Sequence, residues 1–117
     1  MSILFYLDYA EQCSTVIVTL KNDAYTNQAV KQGIYQISDP INGKQSWTSG
    51  PHAIWYGEGT WKIGSLENIG SNFINIYAID AYGGLDDDNN VWVYLNQGLG
   101  WKSTVANDVS IECTSKN

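Results

Sequence analysis

Asp108-Val109-Ser110-Ile111-Glu112-Cys113 alternates polar and apolar residues without a break. Side chains of a strand point to opposite faces in turn, so Val109, Ile111 and Cys113 share one face and Asp108, Ser110 and Glu112 the other. The same period of two runs through Ser14–Leu20, where Val16, Val18 and Leu20 oppose Thr15, Ile17 and Thr19. It recurs in Phe73–Ile79, with Ile74, Ile76 and Ala78 against Phe73, Asn75 and Tyr77, and in Val91–Leu95, with Val91, Val93 and Leu95 against Trp92 and Tyr94. Gly33–Ile37, Ala53–Tyr56 and Thr60–Gly64 extend the set. No stretch carries a convincing helical period. Lys21–Gln32, long and polar, reads as a loop or a single helical turn.

Turn chemistry separates these runs. Asp39-Pro40-Ile41-Asn42-Gly43 joins a Pro-initiated turn to an Asn-Gly step, and Asn-Gly favours the positive φ angles of a tight hairpin. Gly57-Glu58-Gly59 and Asn96-Gln97-Gly98-Leu99-Gly100 read as hairpin loops. The expected fold is all-β: an antiparallel sandwich or small flattened barrel of about seven to eight short strands. At 117 residues it forms one domain, with residues 13–113 as core module and residues 1–12 as an extra N-terminal strand.

Cys13 and Cys113 bracket nearly the whole domain beside its first and last core strands, which predicts a disulfide between them. A closure of about 100 residues stabilises by about 4.7 kcal/mol on the chain-entropy model. A disulfide in so small a domain suits an oxidising, extracellular setting. The N-terminal run Ile3-Leu4-Phe5-Tyr6-Leu7 has no basic region before it, is interrupted by Asp8 and is too short to span a bilayer. It reads as a strand of the domain, or as an altered leader; as a strand, its edge could pair with a second copy through residues 1–9.

Charge narrows the partners. Six Lys stand against twelve Asp and Glu, with no Arg and a net charge of −6. Phosphate backbones and anionic membranes call for clustered Lys and Arg, so neither nucleic acid nor membrane insertion is expected. Asp86-Asp87-Asp88-Asn89-Asn90 crowds oxygen donors onto one loop, and Asp86, Asp88 and Asn90 are candidate Ca²⁺ ligands. Val91 stands where an EF-hand needs Gly and Gln97 where it needs Glu, so this is no EF-hand, and a solvated acidic turn is the simpler reading.

Catalytic constellations are thin. The single imidazole, His52, follows Pro51 at a strand start, and no Ser sits in a G-x-S-x-G elbow. Glu58 and Glu67 lie near Trp55 and Trp61, but Glu58 occupies a Gly-x-Gly turn where a solvated carboxylate is the default. A non-enzymatic protein is expected.

The aromatic residues are the strongest lead. Five Trp, eight Tyr and two Phe are more rings than a small core can hide. A ring face packs against the C–H patch of a pyranose while fixed amides and carboxylates bind its hydroxyls. Trp101, between Gly100 and Lys102, is the ring most expected at the surface, followed by Trp47. Tyr56, Asn96 and Asp86 complete the expected ligand-binding set. Core packing is the competing reading for each Trp. A weak repeat links Trp55-Tyr56…Gly59-Thr60-Trp61-Lys62 to Trp92-Val93-Tyr94…Gly98-Leu99-Gly100-Trp101-Lys102.

Gly33-Ile34-Tyr35, Asn42-Gly43-Lys44-Gln45-Ser46-Trp47, Ala53-Ile54-Trp55-Tyr56 and Trp61-Lys62-Ile63-Gly64 follow one another in order. The series resembles a short Trp-rich module, often repeated, of secreted and cell-surface proteins, with the form G-x-Y…N-G-[KR]-P-x-[WY]…I-W-Y…W-x-I-G and often a closing Cys. Gln45 replaces the usual Pro, which relaxes the turn. The resemblance implies a non-catalytic recognition or adhesion unit. Together these readings point to an extracellular lectin-like module for glycans or cell-surface glycoproteins, with protein–protein adhesion or self-assembly as the alternative.

Overall fold

The computed structural model describes residues 13–79, 84–86, 90–96, 100–103 and 108–116, the side chains of 103, 115 and 116 aside. Strand β1 (Cys13–Leu20) is followed by helix α1 (Asn22–Gln28) and a 3-10 turn (Ala29–Lys31). Then come β2 (Gly33–Ile41), β3 (Lys44–Ser49), β4 (His52–Gly57), β5 (Thr60–Ser65) and a second 3-10 turn (Leu66–Asn68). Strands β6 (Ile76–Ile79), β7 (Val91–Asn96), β8 (Gly100–Ser103) and β9 (Val109–Lys116) complete the order.

All nine strands belong to one antiparallel sheet, ordered β8-β7-β6-β5-β4-β3-β2-β1-β9, curled into a half-barrel. The all-β antiparallel expectation holds; in place of a sandwich or a flattened barrel there is a single sheet curled half-way to a barrel, and among the described residues its strands number nine, not seven to eight. Two strands escaped the sequence reading for physical reasons. Strand β3 has Trp47 as its single large apolar residue, and β8 is four residues long. Expected strand Phe73–Ile79 shortens to β6, its first part crossing over β5 with Asn75 N–H donating to Ile63 O (2.9 Å). Strand β2 runs on through Asp39-Pro40, and a register shift between Ser38 and Ile41 accommodates the proline. Asn42 and Gly43 alone make the turn, with φ of 56° and 78°.

The sheet curls because one face is far more apolar than the other. Val16, Val18, Leu20, Tyr35, Trp47, Ile54, Trp61, Ile63, Ile76, Ala78, Trp92, Tyr94 and Val109 form one buried cluster on the inner face. Cross-strand pairs carry it round the curve: Val16 opposes Tyr35, Trp47 opposes Ile54, Ile54 opposes Ile63, Ile63 opposes Ile76, and Ile76 opposes Tyr94. At the other end Val18 opposes Ile111 and Leu20 opposes Val109, so the final strand returns to the first. The disulfide joins Cys13 to Cys113 across that seam, with a Cα–Cα distance of 5.6 Å.

Where a loop or a single helical turn is expected, the seven-residue helix α1 forms because tertiary contacts hold it. Its fully buried Ala24 and its Gln28, four residues apart, face the sheet, and the helix packs on β7 and β1. Gln28 Nε2 donates to Leu95 O (2.7 Å), and Asn22 Nδ2 to Asp108 Oδ1 (2.8 Å). The segment Asn22–Lys31 is therefore a strap across the inner side of the curl.

On the outer face, the stretch between β5 and β6 covers Trp55, which is fully buried. Gly64 makes this possible. A Cβ there would meet Trp55 Cη2 at 3.1 Å, Phe73 O at 3.2 Å and Ile74 Cα at 3.3 Å. Gly64→Ala is expected to destabilise by about 1–3 kcal/mol, the range for overpacking, read as a lower urea midpoint at unchanged m-value. The Cys13→Ala/Cys113→Ala double variant should lose up to about 4.7 kcal/mol on the chain-entropy model, checked by the same titration under non-reducing conditions.

Candidate functional site

The expected binding residues do not converge. Trp47 is 3% exposed, its Nε1 donating to Cys13 O (2.6 Å), and its ring lies 5.8 Å from that of Trp61. This corrects the surface reading of Trp47. An indole that satisfies its one donor on the backbone beside the disulfide is a clamp between β3 and β1. Tyr56, half-buried, meets Trp61 edge-on at 4.9 Å, with Lys44 Nζ 5.2 Å from its centroid. The row Trp47–Trp61–Tyr56 thus fills one end of the inner face.

Asn96, expected among the ligand-binding residues, bonds within the fold. It is buried, and its Nδ2 donates to Asp23 Oδ2 (2.7 Å), which also accepts from the Tyr94 hydroxyl (2.5 Å). These bonds, Tyr94 first, hold the Asp23 carboxyl below the usual carboxylate range, with Lys102 adding attraction. Tyr94 is pushed up to about 12, by burial first and then by Asp23. The sequence hid this triad because Asp23 lies more than 70 positions from both Tyr94 and Asn96.

The acidic loop is described in part. Asp86 is exposed, Asp88 lies outside the described residues, and Asn90 Nδ2 donates to Gly84 O (3.1 Å) and Leu85 O (3.0 Å). Asn90 therefore spends its amide nitrogen inside the loop. Among the described residues no group of three or more His, Cys, Asp or Glu could hold a metal ion. The N-terminal strand and its pairing role through residues 1–9 lie outside the described residues as well.

Among the other acids, Glu58 is exposed in its turn at φ 52° and pairs with Lys62 at 3.6 Å. Glu67 is exposed on the second 3-10 turn, where it helps line a hollow of about 440 Å³ with Pro51, Ser65 and Leu66. None of these four lining residues is aromatic. His52 Nδ1 lies 3.0 Å from Lys31 Nζ, and burial and that ammonium depress its titration.

Trp101 alone among the expected rings is open, at 45% exposure. It stands on β8 opposite Leu95 and meets Tyr77 of β6 edge-on at 5.0 Å and 78°. The pairs Tyr77–Val93 and Ile79–Val91 lie on this same outer face, with Ile79 36% and Val91 49% exposed. An aromatic pair thus borders an aliphatic strip over three adjacent strands. The two halves of the sequence repeat are not equivalent. Trp61 points inward and pairs with Tyr56, whereas Trp101 points outward and pairs with Leu95.

Comparison with family models, curated proteins and solved structures finds no match to this chain. Among the described residues no helix is long and apolar enough to cross a membrane.

Asp23 gives the site a pH signature. A carboxyl held low in the folded state stabilises above its unfolded value of about 3.9 and loses that contribution as pH falls through the folded one. Asp23→Asn is therefore expected to be less stable than wild type at pH 6 and to lose less on going to pH 3, as followed by thermal melts.

Proposed function

We propose that this chain is a non-catalytic, extracellular binding module that recognises carbohydrate through the outer-face pair Trp101 and Tyr77. The observation that carries this reading is the 45% exposure of Trp101 with Tyr77 braced edge-on at 5.0 Å. A large ring left open on a strand and held by a second ring offers a preoriented apolar plane, which reduces the ordering cost of binding. Trp47, Tyr56 and Asn96 serve the inner face of the fold, and no role in the site is assigned to Asp86. The disulfide is compatible with an oxidising, extracellular setting. The resemblance to Trp-rich modules of secreted and cell-surface proteins favours recognition or adhesion over chemistry.

With a net charge of −6 and no Arg, the platform favours neutral pyranoses over sulfated or sialylated ones. A glycan array probed with the folded chain should give hits among neutral sugars, and titration with a hit should change Trp fluorescence. Trp101→Ala should reduce affinity at least about tenfold, a loss of roughly 1.4 kcal/mol, with the melting temperature nearly unchanged. A blank array, or unaltered binding by the variant, removes carbohydrate recognition through this face.

A second reading is favoured by Ile79 and Val91, whose exposed side chains continue the apolar strip beyond the rings. On this reading the face docks a protein, a second copy included. Concentration-dependent sedimentation abolished by Val91→Lys, together with a blank glycan array, would select it.

A further inference from the structure

The strap Asn22–Lys31 is fastened at its two ends by different chemistry. Its helical end carries Asn22, Asp23 and Gln28, bonded to Asp108, Tyr94, Asn96 and the Leu95 carbonyl. At the other end stands Lys31, only 4% exposed, with its ammonium 3.0 Å from His52 Nδ1 at the head of β4. The main chain is fixed there too, since the Tyr35 hydroxyl donates to Lys31 O (2.6 Å) and Leu20 N–H donates to Gln32 Oε1 (2.8 Å).

A buried lysine usually finds a carboxylate. Here it finds an imidazole, and among the described residues no carboxylate bonds either group. The polar groups around the pair are few. Ser49 and Ser65 are the strand partners of His52, the Tyr35 hydroxyl is engaged with Lys31 O, and Glu67 is exposed on the rim of the hollow beside Pro51. Lys31 is an ammonium with three donors and no acceptor. His52 must therefore present a bare Nδ1 and keep its proton on Nε2, so the bond exists only while the imidazole is neutral. Adding a proton would put two cations about 3 Å apart, Lys31 buried and His52 half-buried, and among the described residues no carboxylate bonded to either would neutralise the second charge.

We propose that Lys31 and His52 form an acid-sensitive latch that holds the end of the strap to β4 at neutral pH and releases it in mildly acidic surroundings. Acid separates the two fastenings. The Asp23 end survives until its carboxyl, held below its ordinary range, is protonated, whereas the side-chain contact at the Lys31 end is lost in the histidine range. Release would leave Ala29–Lys31 and the start of β2 held by the Tyr35 and Gln32 bonds alone, and so looser, while α1 stays docked. The sign follows from burial and Lys31, which depress His52 titration in the latched form. An unlatched imidazole takes its proton near pH 6.5, so protons favour the open form and latching weakens as pH falls. If the latched form takes no proton, the open fraction rises up to about 25-fold between pH 7 and pH 5.

Two measurements test the latch. Hydrogen exchange at the Gln32 amide, which donates to Ala29 O, should accelerate between roughly fivefold and 25-fold from pH 7 to pH 5, once the intrinsic pH dependence is divided out. His52→Gln keeps an acceptor for Lys31 but cannot titrate, so its exchange should change less than about twofold over that range. Equal acceleration in wild type and variant, or none in wild type, overturns the proposal. The second measurement does not depend on that variant folding. The His52 ring followed by NMR in the wild-type chain should titrate below pH 6.5, and Lys31→Met should move that titration upward. A His52 titration at or above the ordinary value, or one that Lys31→Met leaves in place, also overturns it.

Discussion

Strand β1 is the seam on which the rest of this molecule depends. It lies between β2 and β9, so the chain's first described strand pairs with its last and gathers a long meander into one body. Long-range pairing of this kind must overcome a large loop-closure entropy before any contact offsets it. Three interactions meet at the N-terminal end of β1 to hold it. The disulfide ties Cys13 to β9, the Trp47 indole donates to the Cys13 carbonyl from β3, and Val16 packs between Tyr35 and Cys113. With that end secured, the sheet holds its curl, and the helical strap covers what the curl leaves open.

Seen from this seam, the Trp-rich motif is a framing device. Tyr35 bonds the strap, Asn42-Gly43 turns β2 into β3, Trp47 clamps β1, and Trp61 packs between Trp47 and Tyr56. Trp55 fills the outer side over Gly64, its Nε1 buried without a hydrogen-bond partner among the described residues. A donor left unmet costs about 1–3 kcal/mol, which the buried ring area offsets. With these indoles committed to packing, Trp101 is the Trp exposed at the surface among the described residues. It lies outside the motif, on the short strand β8 at the far edge of the sheet.

Legibility followed the physics of each segment. Strands with one apolar and one polar face, such as β1 and β9, announced themselves, because half-buried strands must alternate. Alternation in strand β7 separates its two faces but does not say which one turns inward. Trp92, Tyr94 and Asn96 turn inward while Val91 is exposed, since the core needed rings there and Asn96 found Asp23. Helix α1 had too little local preference to be seen; its stability comes from Ala24 and Gln28 meeting β7 and β1.

Composition and alternation alone settled that the chain is antiparallel β, that Cys13 and Cys113 flank the core, and that it carries more rings than a core of this size can hide. These are local properties, written in side-chain period and in counts. Which face each ring took, and whether strands closed into two layers or one curled sheet, was decided by tertiary structure. Exposure of Trp101, burial of Trp47 and the meeting of Lys31 with His52 depend on cross-strand register and on the path of the strap. Those relations join residues far apart along the chain, and local preference carries no information about them.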